Sequence, residues 1–119
     1  MERPLNCLII LKRTAASKRT PLTRAADYAK SFLKDWERLS RSGRYDMHRL
    51  KEGMLLLMAN EGPLPPDWLD HALGGEWEGH RECHIGGDFL LAYKLDESAK
   101  PKPSLVVFVR VGSHADLFE

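Results

Sequence analysis

Four of the five histidines, His71, His80, His84 and His114, fall in the second half of the chain, with Asp88, Arg110 and Phe118 among or beside them. These residue types make up the set that cleaves RNA through its own 2′-hydroxyl. One group removes the 2′-hydroxyl proton, a cation steadies the pentacovalent phosphate, an acid protonates the leaving 5′-oxygen, and a ring stacks on the base. Histidine suits the proton transfers because its unperturbed pKa of ~6.5 leaves both forms populated near neutrality. Arginine suits the phosphate because its planar fork binds two oxygens at once.

The order along the chain says which of these side chains can meet. In the strand-like run His80-Arg81-Glu82-Cys83-His84 side chains alternate, so His80, Glu82 and His84 share one face, while Arg81, Cys83 and Ile85 share the other. His84 then stands beside a hairpin, close to Asp88. Arg110 closes the last apolar run, Gly112 frees the backbone to turn, and Ser113-His114 follow, so an arginine and a histidine emerge at one end of a sheet. Each residue also has a purely structural reading. A strand histidine such as His80 is by default a hydrogen-bonded structural residue, and Arg110 could simply pair with Asp88 or Glu82. Phe118 beside Leu117 could plug the domain's own core, and Trp77, between Gly75 and Gly79, reads as core packing. Spacing alone leaves both kinds of reading open.

His80, Cys83 and His84 are close enough in sequence to test for a metal site. Ligands on a strand need alternate positions, Cys83 points away from both histidines, and no HExxH or CxxC pattern is present, so no metal or other cofactor is expected. The two cysteines, Cys7 and Cys83, lack paired spacing and read as free, buried thiols of a reducing compartment.

The elements that must carry this set follow from periodicity. With 119 residues the chain fits one domain and needs no disulfide scaffold. Residues 1 to 28 give no firm pattern beyond a possible strand at Cys7 to Leu11 and a basic connector from Lys12 to Arg24. From Ala29 the apolar positions Phe32, Leu33, Trp36 and Leu39 recur at helical spacing, with Lys30, Lys34, Asp35, Glu37, Arg38 and Arg41 expected on the solvent side, and Gly43 ends the helix. Asp46 is a good cap for a second helix burying Leu50, Met54, Leu57 and Met58, which Asn60, Gly62 and Pro63 stop. Three strand-like runs follow, Gly79 to Ile85, Phe89 to Leu95 and Leu105 to Val111, with a tight turn at Gly86-Gly87 and a polar loop from Asp96 to Ser104. The expected architecture is an α+β meander covered by a helical hairpin.

Charge and hydropathy narrow the partners. A net charge of +1 hides a basic half, residues 1 to 52 at +7, and an acidic half at −6; the basic half suits a phosphate backbone, although solvated helix faces are often basic too. The apolar run Leu5 to Leu11 is far below the ~20 residues of a membrane span. Its basic residues follow it rather than precede it, unlike a secretory signal, so the expectation is a cytoplasmic protein without a membrane partner.

At this point an ordered series of motifs becomes recognisable: Leu50-Lys51-Glu52, Asn60-Glu61-Gly62-Pro63-Leu64-Pro65, Asp70-His71-Ala72-Leu73, and Trp77 through Ile85. Asp88-Phe89-Leu90-Leu91 and Arg110 through Phe118 complete it. From about Tyr28 to Phe118 the chain resembles the YafQ-type mRNA interferase toxins of the RelE/ParE superfamily. That resemblance implies a RelE/ParE-like antiparallel sheet of three to four strands packed against an N-terminal helical hairpin. Residues 20–119 would form the toxin domain, and residues 1–19 an extension beyond the family's usual start. It also implies a metal-independent, ribosome-dependent endoribonuclease. Its partners would be the ribosome with bound message and a small acidic RelB/DinJ-like antitoxin, through which alone it would meet DNA. Family roles fall on His71 and His84 for proton transfer and phosphate contact, and on Asp88 for positioning a histidine. Arg110 would stabilise the phosphorane, His114 would act as general acid, and Phe118 would pack on the substrate base. The alternative is a ParE-like toxin that binds a topoisomerase; that branch lacks the histidine set, which decides for RNA cleavage. A third reading is an inactive binding module.

Overall fold

The computed structural model of the protein describes residues 24–59, 64–96 and 104–118. The expectations for residues 1–19, Cys7, the connector before Arg24, the helix stop at 60–63 and the loop interior at 97–103 lie outside them.

The chain begins with strand β1 (Arg24–Tyr28), followed by helices α1 (Lys30–Ser42) and α2 (Met47–Ala59), a short strand β2 (His71–Ala72), and β3 (Arg81–Gly86). It ends with β4 (Phe89–Asp96), β5 (Ser104–Gly112) and a terminal turn of helix α3 (His114–Phe118). The sheet order is β1-β5-β4-β3-β2. The three strand-like runs are its centre. The expected antiparallel sheet of three to four strands is nevertheless a mixed sheet of five: β2 adds an antiparallel edge, and β1 pairs parallel to β5, Arg24 against Ser104 and Tyr28 against Phe108.

Helix α1 closes on Gly43, whose φ of 72° is the left-handed geometry that glycine takes without strain. Helix α2 is capped by Asp46, whose Oδ1 accepts the Arg49 N–H at 3.0 Å. Together the helices cover one face of the sheet. Phe32, Leu39, Leu50, Met54 and Leu57 pack there against Cys83, Ile85, Phe89, Leu91, Tyr93, Phe108 and Val111. Alternation along β4 sends Leu90 and Ala92 to the opposite face, where a small second cluster forms with Leu117, Trp77 and Phe118. Cys83 is fully buried, as its reading as a small hydrophobe requires.

One assignment on α1 is corrected: Asp35, expected to face solvent, is buried, whereas Leu33, expected in the apolar stripe, is 52% exposed. The reason lies in the sheet. β1 pairs with β5 only as far as Phe108, so the backbone from Val109 onward has no strand on that side. Helix α1 supplies partners instead: Ser31 Oγ donates to the Val109 carbonyl at 2.7 Å, and Asp35 Oδ2 accepts the Val111 N–H at 3.1 Å. Buried backbone groups must be paired, and a carboxylate turned inward satisfies one that an apolar side chain could not. Among the described residues no helix is long and apolar enough to cross a membrane.

Candidate active site

The thinly covered face carries the candidate site. β2 lays His71 directly opposite Glu82 on β3, and Glu82 and His84 share a face two residues apart. Glu82 is only 6% exposed, and its Oε2 lies 3.6 Å from His71 Nε2 and 3.4 Å from His84 Nε2. His71 Nδ1 sits 2.8 Å from the Leu69 carbonyl, which can only accept, so that nitrogen carries the hydrogen. Nε2 therefore meets Glu82 as a lone pair or, once protonated, as a donor. The ligand atoms of His71, Glu82 and His84 all lie within 4.8 Å of one another, a set that could also hold a metal ion. Cys83 belongs to no such set, because alternation points it into the core.

The second half of the site is built by the turn after β5. A Cβ on Gly112 would stand 2.6 Å from Asp116 Oδ2, so only glycine lets the chain fold back this closely. Ser113 and Asp116 then satisfy each other: Asp116 Oδ2 accepts the Ser113 N–H at 3.0 Å, and Ser113 Oγ accepts the Asp116 N–H at 3.1 Å. The bond from the Ser113 backbone, aided by Arg38, holds the Asp116 carboxyl below its ordinary range. Asp88 Oδ1 accepts the His114 N–H at 2.9 Å, tying the start of α3 to the β3–β4 turn. His114 and Phe118 are thereby fixed one turn apart, ring centroids 5.0 Å apart, and Phe118 meets the edge of Trp77 at 5.3 Å.

His71, Glu82, Trp77, His114 and Phe118 thus line a single cleft of about 330 Å³ with Leu73 and Gly74. His84 stands beside it through Glu82. Asp88 acts on the backbone of His114, and no hydrogen bond or ion pair joins it to His84 among the described residues. Arg110 is not in the cleft lining. Its Nε donates to Asp35 Oδ2 at 2.7 Å, and its other arm reaches Asp35 Oδ1 at 3.3 Å and the Asp116 carbonyl at 3.2 Å. Neither Asp88 nor Glu82 is its partner, as a purely structural reading had suggested. His80 bonds the Trp77 carbonyl through Nδ1 at 3.2 Å and packs edge-on to that indole, a supporting position.

Three contributors escape the residue-by-residue reading. Glu82 was legible as the residue between two histidines of one strand face. Trp77 is half-buried and lines the cleft rather than the main core. Asp35 stands at a buried-stripe position of α1, but its charge pointed to solvent and the partners that turn it inward, Arg110 and the Val111 N–H, come from β5. Leu117, at 6% exposure, is the core plug, which leaves Phe118 free to face the cleft.

Residues 24–119 match the family described as bacterial toxin of type II toxin-antitoxin system, YafQ. The mRNA interferase toxin YafQ of Escherichia coli strain K12 is 38% identical over 97 residues, spanning 82% of this chain and 98% of that protein. Among solved structures, the toxin in the Escherichia coli DinJ-YafQ toxin-antitoxin complex superposes with a TM-score of 0.69 at 38% identity, covering 82% of this chain and 100% of the other. A metal-bound toxin from Helicobacter pylori gives 0.68 at 35% identity, covering 80% and 99%.

Proposed function

The chain belongs to the YafQ family of type II toxin-antitoxin toxins, and from that premise we propose that it is an endoribonuclease that cuts messenger RNA on the ribosome. The observation that carries the mechanism is a cleft in which a buried carboxylate and His71 face a third histidine beside an aromatic ring, with His84 on the same carboxylate at the cleft's side.

In this reading His71 or His84, with Glu82 holding the ring, takes the 2′-hydroxyl proton. The freed oxygen attacks phosphorus to form a 2′,3′-cyclic phosphate, and His114 delivers a proton to the departing 5′-oxygen. Phe118 and Trp77 form an angled aromatic wall on which a base can stack. Arg110 stabilises the phosphorane, and Asp35 leaves the guanidinium its NH1 end for that purpose. Asp88 positions His114 through its backbone. No metal is required by this sequence of steps. The Helicobacter pylori toxin is metal-bound, and a cation on His71, Glu82 and His84 here would occupy the nitrogens needed for proton transfer; in our reading it inhibits.

A small acidic RelB/DinJ-like antitoxin is the proposed partner, as DinJ is for the Escherichia coli protein. The +7 charge of residues 1 to 52 complements such a partner and would speed and orient association. DNA is met only through that antitoxin, and the setting is the cytoplasm. The purified chain, stripped with EDTA and desalted before it is mixed with translating ribosomes and message, is expected to cut as well as the unstripped chain, read by primer extension. Activity lost on stripping and restored by a stoichiometric added transition metal would remove the metal-free mechanism. Intact messages accompanied by gyrase-linked DNA breaks on expression would favour the topoisomerase-binding alternative.

A further inference from the structure

A second cleft, of about 510 Å³, lies behind the Asp88–His114 tie, between the α1–α2 turn and the β3–β4 turn. Ser113 lines it and His114 lines the first cleft, so consecutive residues look into the two. Its floor is Tyr45, half-buried and packed on Phe89 at 4.8 Å, with the exposed Arg44 guanidinium 5.8 Å above the ring. Two carboxylates face the cavity, and each has spent one oxygen: Asp46 Oδ1 on the Arg49 N–H, Asp88 Oδ1 on the His114 N–H. The second oxygen of each has no hydrogen-bond partner among the described residues. Arg44 likewise makes no ion pair among them. An aromatic floor, an exposed cation at the rim and two open acceptors within suit a flat ring that donates hydrogen bonds and carries a phosphate outside.

We propose that this cleft seats the nucleotide flanking the scissile phosphate, its base on Tyr45, its exocyclic amine donating to Asp46 and Asp88, and its phosphate met by Arg44. The proposal rests on the ribonuclease reading and adds a selectivity to it. Adenine, cytosine and guanine carry such an amine. The exocyclic groups of uracil are both carbonyls, and they would set oxygen against carboxylate.

The test is a series of translated messages in which the nucleotides on either side of the cut are varied through all four bases. Wild type is expected to disfavour uridine at one flank by about tenfold, the effect of one hydrogen bond to a charged group. Asp46→Asn keeps a good helix cap through its oxygen and presents an amide donor where the free acceptor stood, so it is expected to erase most of that discrimination, slowing cuts at amine-flanked sites and easing those at uridine-flanked ones. Arg44→Ala is expected to need more message for half-maximal cutting, with the same base preference. Identical flank preferences in wild type and a well-folded Asp46→Asn, or no effect of Arg44→Ala on message concentration, would overturn the subsite and leave the ribonuclease standing. No cutting by wild type on any message would overturn the ribonuclease reading and the subsite with it.

Discussion

Asp35, at the junction of α1 with β5, and Glu82, at the β2–β3 edge, are both buried carboxylates in a small domain, yet their surroundings differ in kind. Asp35 accepts from Arg110, Arg38 and the Val111 backbone, donors that stay protonated at any ordinary pH. Glu82 faces two imidazoles, whose charge depends on a proton that can leave. A carboxylate saturated by permanent donors is a fastener. One whose partners can lose their proton is a relay, and its side of the sheet is the thinly covered one. Burial alone does not separate the two roles; the lability of the partners does.

If that distinction holds, Glu82→Gln, which keeps shape and burial, is expected to lower single-turnover cleavage by roughly 10²- to 10⁴-fold with an unchanged melting temperature, the size typical of a lost acid–base function. A large drop in melting temperature would make Glu82 a fastener like Asp35. His114→Ala is expected to lose turnover to a similar extent and to retain antitoxin binding, whereas His80→Ala, whose ring supports Trp77, should remain active. An active, well-folded His114→Ala protein would remove the assigned acid.

The opposite result is expected at the other carboxylate. Asp35→Ala strands Arg110 and an unpaired Val111 N–H, and breaking such a buried pair costs about 3 kcal/mol, measurable by denaturant titration. Its effect on cleavage should follow from that loosening and from the freed Arg110. Asp35→Asn, which keeps acceptors, should recover part of the stability.

The smallest effect is expected at Asp116, which joins the fastener to the site. Its carboxyl is held below the ordinary range in the folded chain, so it contributes stability that is complete above the usual carboxylate pKa and is lost as pH falls through the depressed value. Lowering pH below about 4 should therefore loosen α3, and Asp116→Asn should flatten that part of the stability profile. Equal acid sensitivity in the variant and wild type would detach Asp116 from the turn.

The central elements were legible because their signals are local. Apolar spacing marks α1 and α2, Gly43 and Asp46 mark their ends, and strand-like runs, the last two rich in aromatic or β-branched residues, mark β3, β4 and β5 with Gly86-Gly87 as the turn between the first two. The two remaining strands were not. The Arg24–Tyr28 segment has no strand pattern of its own and exists through pairing with residues about eighty positions away, and His71–Ala72 is a two-residue exposed edge. Asp35 shows the same limit within a helix. Its position falls on the buried stripe between Phe32 and Leu39, but its charge argued for solvent, and only the gap beside β5 explains its inward turn. At the site, residue types announced the histidines, the arginine and the aromatic. Which of them meet depended on a two-residue strand and a glycine turn, and Arg110's partner depended on tertiary contact alone.

The central position of β5 also bears on how such a chain comes into being. The first described strand and the β3–β4 hairpin both dock on β5, so most of the sheet's long-range pairing waits until about residue 112 has been synthesised. The turn that sets His114 and Phe118 follows immediately after. Until β5 has left the ribosome the earlier strands lack their central partner, and the nascent chain is a precursor whose sheet is not yet assembled.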